Sequence, residues 1–146
     1  MKMKGIVIMK KLYNASFLYL IIGLSVGVFF REYTKLNGFT GITALKTVHP
    51  HLLTLGFLFF FILTLASKSL KFYESKNFNK WYIVYNIGLI WTGATMLVRG
   101  ILQVNGADFK GLNHIAGTGH LVLGVALIWF MIILKDSLGF SKGKSQ

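Results

Sequence analysis

Four long apolar runs, almost free of charge, constrain this 146-residue chain more than any other feature. A bilayer core is about 30 Å thick, so a helix needs roughly 20 apolar residues to cross it. Lipid offers no partner to backbone N–H and C=O groups, and such runs therefore cross the membrane as helices. The sequence predicts an all-α integral membrane four-helix bundle in a single domain, 1–146, with spans at about 12–30, 48–66, 81–103 and 112–134.

The composition excludes several other classes of protein. Only 14% of the residues are charged and 54% are hydrophobic, whereas soluble domains are about 25% charged. The absence of cysteine excludes disulfides, thiolate zinc sites and iron–sulfur clusters. Four acidic residues are too few for a carboxylate di-iron or calcium site. The net charge of +12 comes from residues that flank the spans, so membrane lipid is the expected partner and nucleic acid is not.

The basic residues predict how the helices are oriented. Eleven of them flank the spans on the side of both termini and five flank them on the other side. By the positive-inside rule, both termini lie in the cytoplasm of a multi-pass protein of the bacterial cytoplasmic membrane. No A-x-A site follows the first apolar run, so we expect a retained helix rather than a signal peptide. The eleven are Lys2, Lys4, Lys10, Lys11, Lys68, Lys71, Lys76, Lys80, Lys135, Lys142 and Lys144, and the five are Arg31, Lys35, Lys46, Arg99 and Lys110.

Histidines are confined to one side of the predicted bundle. His49 and His51 open the second span, and His114 and His120 open the fourth, so all four lie in the outer half. An ionisable residue inside a membrane costs about 2.5–3.5 kcal/mol on insertion scales, and such residues commonly mark functional sites. For His49 and His114, solvation at the interface or helix capping is an open alternative.

The surroundings of these histidines favour haem over a bare metal ion. Neutral imidazole binds haem iron, copper and zinc, and histidines on facing helices are a common way to hold a b-type haem. A porphyrin also needs small neighbouring residues and cations for its propionates. Gly56 lies seven residues after His49, and two further glycines flank His120 at helical spacing. The glycines are Gly56, Gly117 and Gly124, and the cations are Arg31, Lys46 and Arg99, for which interfacial anchoring is the alternative.

The spacing of the histidines predicts that they serve different pockets. Residues two apart on a helix differ by about 200° and residues six apart by about 240°. His49 and His51 would then point to opposite sides of one helix, and His114 and His120 likewise could not share one metal ion. Pro50 belongs in a first turn and complicates this geometry. Since one four-helix chain has one interior, we expect an oligomer with sites near its subunit interfaces.

Glycines in the first span predict close helix packing. Gly23 and Gly27 form a GxxxG motif, which lets a neighbouring helix approach. The motif alone does not say which helix that is.

The segment His49-Pro50-His51 resembles the H-x-H of the catalytic subunit of haem-copper oxidases. In that family the two histidines bind different haems on opposite sides of their helix, and the subunit has twelve helices in pseudo-threefold order. The resemblance implies a homotrimer of twelve helices, with His49 and His51 as axial ligands. It does not extend to copper, because the chain lacks an adjacent histidine pair. The segments 30–35 and 49–56 also resemble a family of small, uncharacterised four-helix bacterial membrane proteins, which implies architecture but no activity.

We therefore expect a haem b-binding membrane protein that serves in electron transfer or in haem or gas handling. Its cofactor-binding candidates are His49, His51, His114, His120, Arg31, Arg99 and Gly56, of which His51, His49 and His120 are the metal-ligand candidates. Two alternatives stay open: a copper- or zinc-binding transport protein that uses the same histidines, and a structural membrane subunit without a cofactor. The sequence identifies no redox partner and leaves open whether the protein is an enzyme.

Overall fold

The computed structural model describes residues 2–107 and 111–140, and there the chain forms four long helices. All four are long and apolar enough to cross a membrane, which confirms the prediction of an all-helical fold with four helices of membrane-spanning length. Each helix contains one of the predicted spans. Lys110, Lys142 and Lys144, which entered the charge argument, lie outside the described residues. The helices are α1 (Lys2–Leu36), α2 (Leu45–Ala66), α3 (Phe78–Val104) and α4 (Gly111–Ser137), and a short 3₁₀ turn (Phe72–Glu74) lies between α2 and α3.

The two ends of the bundle differ in their side chains. One end, here named the histidine end, carries the connection from α1 to α2 and the first turns of α2 and α4. The opposite end, the lysine end, carries the start of α1 and the 67–77 connection with its exposed lysines. With 35 residues at about 1.5 Å each, α1 is about 52 Å long and exceeds the hydrocarbon core. It is therefore longer than a single crossing requires, and Lys4 and Lys10 lie on it at the lysine end.

The second helix changes its hydrogen-bonding pattern along its length. Leu45–His51 is α-helical, Leu52–Leu58 is π-helical and Phe59–Ala66 is α-helical again. Pro50 lies just before the π segment and has no N–H to donate to the previous turn. Two carbonyls of the π segment accept hydrogen bonds from neighbouring helices: Tyr85 Oη donates to Leu55 O (2.8 Å) and Ser16 Oγ to Phe57 O (3.0 Å). The regular helix assumed from the sequence is thus interrupted directly after His51.

The helices pack in chain order, α1 on α2, α2 on α3 and α3 on α4. An aromatic cluster fills the interior toward the lysine end, where the Trp81 indole donates to the carbonyl of Ala126 (2.8 Å). Most of the remaining apolar surface faces outward, because only 28–39% of each apolar window is buried within the chain. This distribution is expected of helices that face lipid. The cluster consists of Phe59, Phe60, Phe72, Phe78, Trp81, Tyr85 and Phe130.

Glycines allow the close approach of neighbouring helices. A Cβ at Gly23 would lie 2.7 Å from Leu53 Cδ2, and one at Gly27 would lie 3.6 Å from the His49 ring. The GxxxG motif therefore packs against α2 of the same chain. Between α3 and α4, a Cβ at Gly88 would lie 2.9 Å from the backbone nitrogen of Leu123.

The histidine end is fixed by helix caps and by side-chain hydrogen bonds. Gly38 (φ +59°) and Gly106 (φ +72°) end α1 and α3 in left-handed conformations with Schellman-type hydrogen bonds. Thr43 Oγ1 donates to the carbonyl of Gly100 (2.9 Å), and the Ala44 N–H donates to Gln103 Oε1 (2.8 Å). These bonds hold the first turn of α2 against α3 and so position the histidines that follow.

Candidate functional site

His51 of α2 and His120 of α4 form the central pair of the candidate site. Their ring centroids are 6.0 Å apart and their planes are nearly perpendicular, at 86°. A metal–nitrogen bond of about 2.0–2.1 Å on each side of an ion separates two opposed imidazole centroids by a similar distance. The pair comes from helices two apart in the packing order, so it bridges α2 and α4 at the histidine end. Both residues belong to one chain, so the pair forms without a histidine from a second subunit.

Both rings of the pair are held in the same way. His51 Nδ1 lies 2.8 Å from the carbonyl oxygen of Thr47, and His120 Nδ1 lies 2.9 Å from that of Ala116. A carbonyl only accepts hydrogen bonds, so each Nδ1 carries the proton and each Nε2 of the neutral ring has a lone pair. A backbone carbonyl bound in this way orients metal-ligating histidines in proteins generally. This tautomer is the one in which Nε2 can bind a metal ion.

Open space lies beside each histidine of the pair. A cleft of about 320 Å³ is lined by Pro50, His51, Thr54 and Leu55. On α4, nothing lies within 4 Å of a Cβ added at Gly117 or Gly124, the glycines three before and four after His120. The face around His120 is therefore open and carries no side chain at these two positions.

Residues of α3 set the position of His120. A Cβ at Gly119 would lie 2.6 Å from Trp91 Cδ1 and 2.8 Å from Thr92 Oγ1, so this glycine allows α3 to approach α4 closely. The Trp91 indole also donates to the carbonyl of Ile115 (3.0 Å). Sequence reasoning missed Trp91 and Gly119. It also missed the Thr47 and Ala116 carbonyls. Each lies four residues before a histidine, which is the spacing at which a helical side chain can reach a backbone carbonyl.

His49 lies on the opposite side of α2 from His51. Its ring stacks on Phe30 of α1, with centroids 6.4 Å apart, and lies beside Gly27. Its Nδ1 is buried and has no hydrogen-bond partner among the described residues. The two histidines thus face different neighbours, α1 and α4, which is the divergence that their spacing predicts.

The remaining site candidates are distributed over all four helices. His114 is exposed in the first turn of α4. Arg31 is exposed at the end of α1, where its Nε lies 3.8 Å from Glu32 Oε1, and Arg99 is half-buried near the end of α3. The space beside Gly56 is taken by Tyr19, since a Cβ there would lie 2.5 Å from Tyr19 Cγ. Gly56 therefore packs against α1, on the side of α2 that carries His49.

Within residues 2–107 and 111–140, no group of three or more histidine or acidic side chains is arranged to hold a metal ion. The pair His51–His120 is thus a two-ligand arrangement in the part of the chain that the structure describes. Zinc sites use three or four protein ligands, whereas haem iron needs at most two, because the porphyrin supplies four nitrogens. The donor set accordingly fits haem better than bare zinc.

Comparisons with known proteins add a family but no activity. A family model described as "Protein of unknown function (DUF2871)" matches residues 9–137. No curated protein and no solved structure matches the chain.

Proposed function

We propose that this chain, which belongs to the DUF2871 family of proteins of unknown function, binds a b-type haem between His51 and His120 and serves in electron transfer. The observation that carries the proposal is the imidazole pair itself, with centroids 6.0 Å apart and both Nδ1 atoms bonded to backbone carbonyls. Each Nε2 is then available to an iron ion. The open face at Gly117 and Gly124 supports a planar ligand beside His120.

Electron transfer is favoured over gas binding because the proposed iron has two protein ligands. Haem would supply an iron that cycles between two oxidation states, and with both histidines bound that iron would have no position left for an exogenous ligand. The protein's part is to hold both rings through the Thr47 and Ala116 carbonyls. Haem or gas handling would require one ring to dissociate, and the more exposed His120 is the candidate for that.

The orientation and assembly belong to the same proposal. The lysine bias supports both termini in the cytoplasm, which puts the haem near the outer face of a bacterial cytoplasmic membrane. A homotrimer is supported by the H-x-H resemblance alone, because His49 packs against α1 of its own chain. Accessibility of single cysteines placed in the 67–77 and 37–44 connections tests the orientation. Light scattering of the purified protein, corrected for bound detergent, measures the number of subunits.

The decisive experiment is an absorption spectrum of the protein purified from haem-replete cells. We expect a Soret band, and on reduction the sharp visible bands of low-spin bis-histidine haem. Metal analysis on the same sample separates the alternatives. Iron equimolar with the haem measured as the pyridine haemochrome supports the proposal. Copper or zinc without porphyrin supports a metal-delivery role. A folded, colourless, metal-free protein that does not bind added haemin overturns the haem proposal.

A further inference from the structure

The seam between α1 and α3 has the features of a lipid site, independent of the histidine pair. Here α1 and α3 are bridged by long side chains rather than by close backbone packing. Tyr19 Oη donates to Asn86 Oδ1 (2.7 Å), and near the lysine end Lys11 reaches across to Tyr82. The seam opens toward the exposed side chains of Ile22 and Ile90 and hence toward the surrounding bilayer.

A cation, Lys11, lies at one end of this seam. Lys11 is half-buried, and its Nζ lies 3.9 Å from the ring centroid of Tyr82. Among the described residues, the salt bridge is that of Arg31 with Glu32, at the opposite end of the bundle. No described carboxylate therefore neutralises Lys11. A half-buried ammonium that contacts only an aromatic face retains hydrogen-bond donors for an anion.

An apolar cavity lies farther along the same seam. It has a volume of about 180 Å³ and is lined by apolar side chains of α1, α2 and α3, with Tyr19 at its edge. Lys11 precedes Ile22, which lines the cavity, by eleven residues, or about 17 Å along the helix. This length matches half of a hydrocarbon core about 30 Å thick, and thus the reach of one acyl chain from its headgroup. The other lining residues are Val26, Val48, Leu52, Ile90, Gly93, Ala94 and Leu97.

We propose that an anionic phospholipid occupies the α1–α3 seam, with its phosphate at Lys11 and Tyr82 and one acyl chain in the cavity. The charge of Lys11 indicates an anionic headgroup, because a lysine that no carboxylate neutralises favours a net-negative lipid over a zwitterionic one. The lining of the cavity is apolar and offers no hydrogen-bond partner, so the part of the ligand that fills it is an acyl chain rather than a polar group. The headgroup and the chain are recognised by different residues, and each can be tested separately.

The test is lipid retention by the full-length protein, measured by native mass spectrometry from mixed micelles with matched acyl chains. We expect phosphatidylglycerol to be retained over phosphatidylcholine, and Lys11→Gln to weaken its retention about fivefold, since one lysine contributes ~1 kcal/mol at an anionic surface. Lys10→Gln is the matched control. It removes the same charge from the adjacent, exposed position, and its retention should stay within about twofold of the wild type.

A second variant tests the acyl chain. Ala94→Phe fills the cavity from its exposed edge, so retention of long-chain phosphatidylglycerol should fall while that of a dihexanoyl analogue should not. Circular dichroism verifies that each variant is folded. Equal losses in Lys10→Gln and Lys11→Gln would mean that only the overall charge attracts lipid. Full competition by inorganic phosphate would indicate an anion site rather than a lipid site, and either result overturns the proposal.

Discussion

His51 and His120 lie on different helices, yet their rings meet at right angles with centroids 6.0 Å apart. Each ring is also held by a carbonyl of its own helix, four residues earlier. The orientation of each imidazole is therefore set locally, while their proximity depends on how α2 and α4 pack around α3. Substitutions can separate the two contributions.

Removing either ring of the pair should abolish bis-histidine ligation. We expect His51→Ala and His120→Ala each to convert a low-spin haem spectrum to a high-spin or haem-free one, because one axial ligand is lost. His114→Ala is the control, since His114 is exposed and lies outside the pair. Absorption and electron paramagnetic resonance spectra measure the change. Low-spin haem that persists in the His51→Ala, His120→Ala double variant would contradict this assignment.

Filling the open face beside His120 should block haem without unfolding the helix. Nothing lies within 4 Å of a Cβ at Gly124, so Gly124→Leu adds bulk only where the porphyrin is proposed. Haem content should fall at least several-fold while helicity and detergent extraction stay unchanged. Val125→Leu, at the adjacent and exposed position, is the control. Full haem content in Gly124→Leu would place the porphyrin elsewhere.

Glycines in contact with a neighbouring helix should tolerate substitution less well than open ones. Gly56→Ala forces a methyl group against Tyr19, where a Cβ would lie 2.5 Å from Cγ. Such overpacking costs about 1–3 kcal/mol, and a loss in that range is expected in the free energy of unfolding in mixed detergent micelles. Gly117→Ala meets no neighbour within 4 Å and should change the stability by less than about 0.5 kcal/mol. Equal effects of the two changes would argue against this packing of α1 on α2.

Residue spacing predicted the divergence of His49 and His51 because both lie in the α-helical first part of α2, before the π segment begins. A regular 100° rotation per residue holds over that interval. Spacing did not identify the helix that each histidine faces. Spacing did not say that His51 faces α4 or that His49 faces α1, and it led us to expect sites near subunit interfaces.

The helices themselves follow from the sequence, because backbone groups in lipid must bond within their own segment and four apolar runs are long enough to span it. The sequence also predicts that the histidines share one side of the bundle, because they lie at the starts of the second and fourth spans. Only the tertiary structure decided which faces meet: His51 with His120, Gly23 and Gly27 with α2, and Gly56 with Tyr19. The physical reason is that lipid-facing and buried positions are equally apolar in a membrane protein. Hydropathy therefore identifies the helices, whereas steric fit and a few hydrogen bonds determine their neighbours.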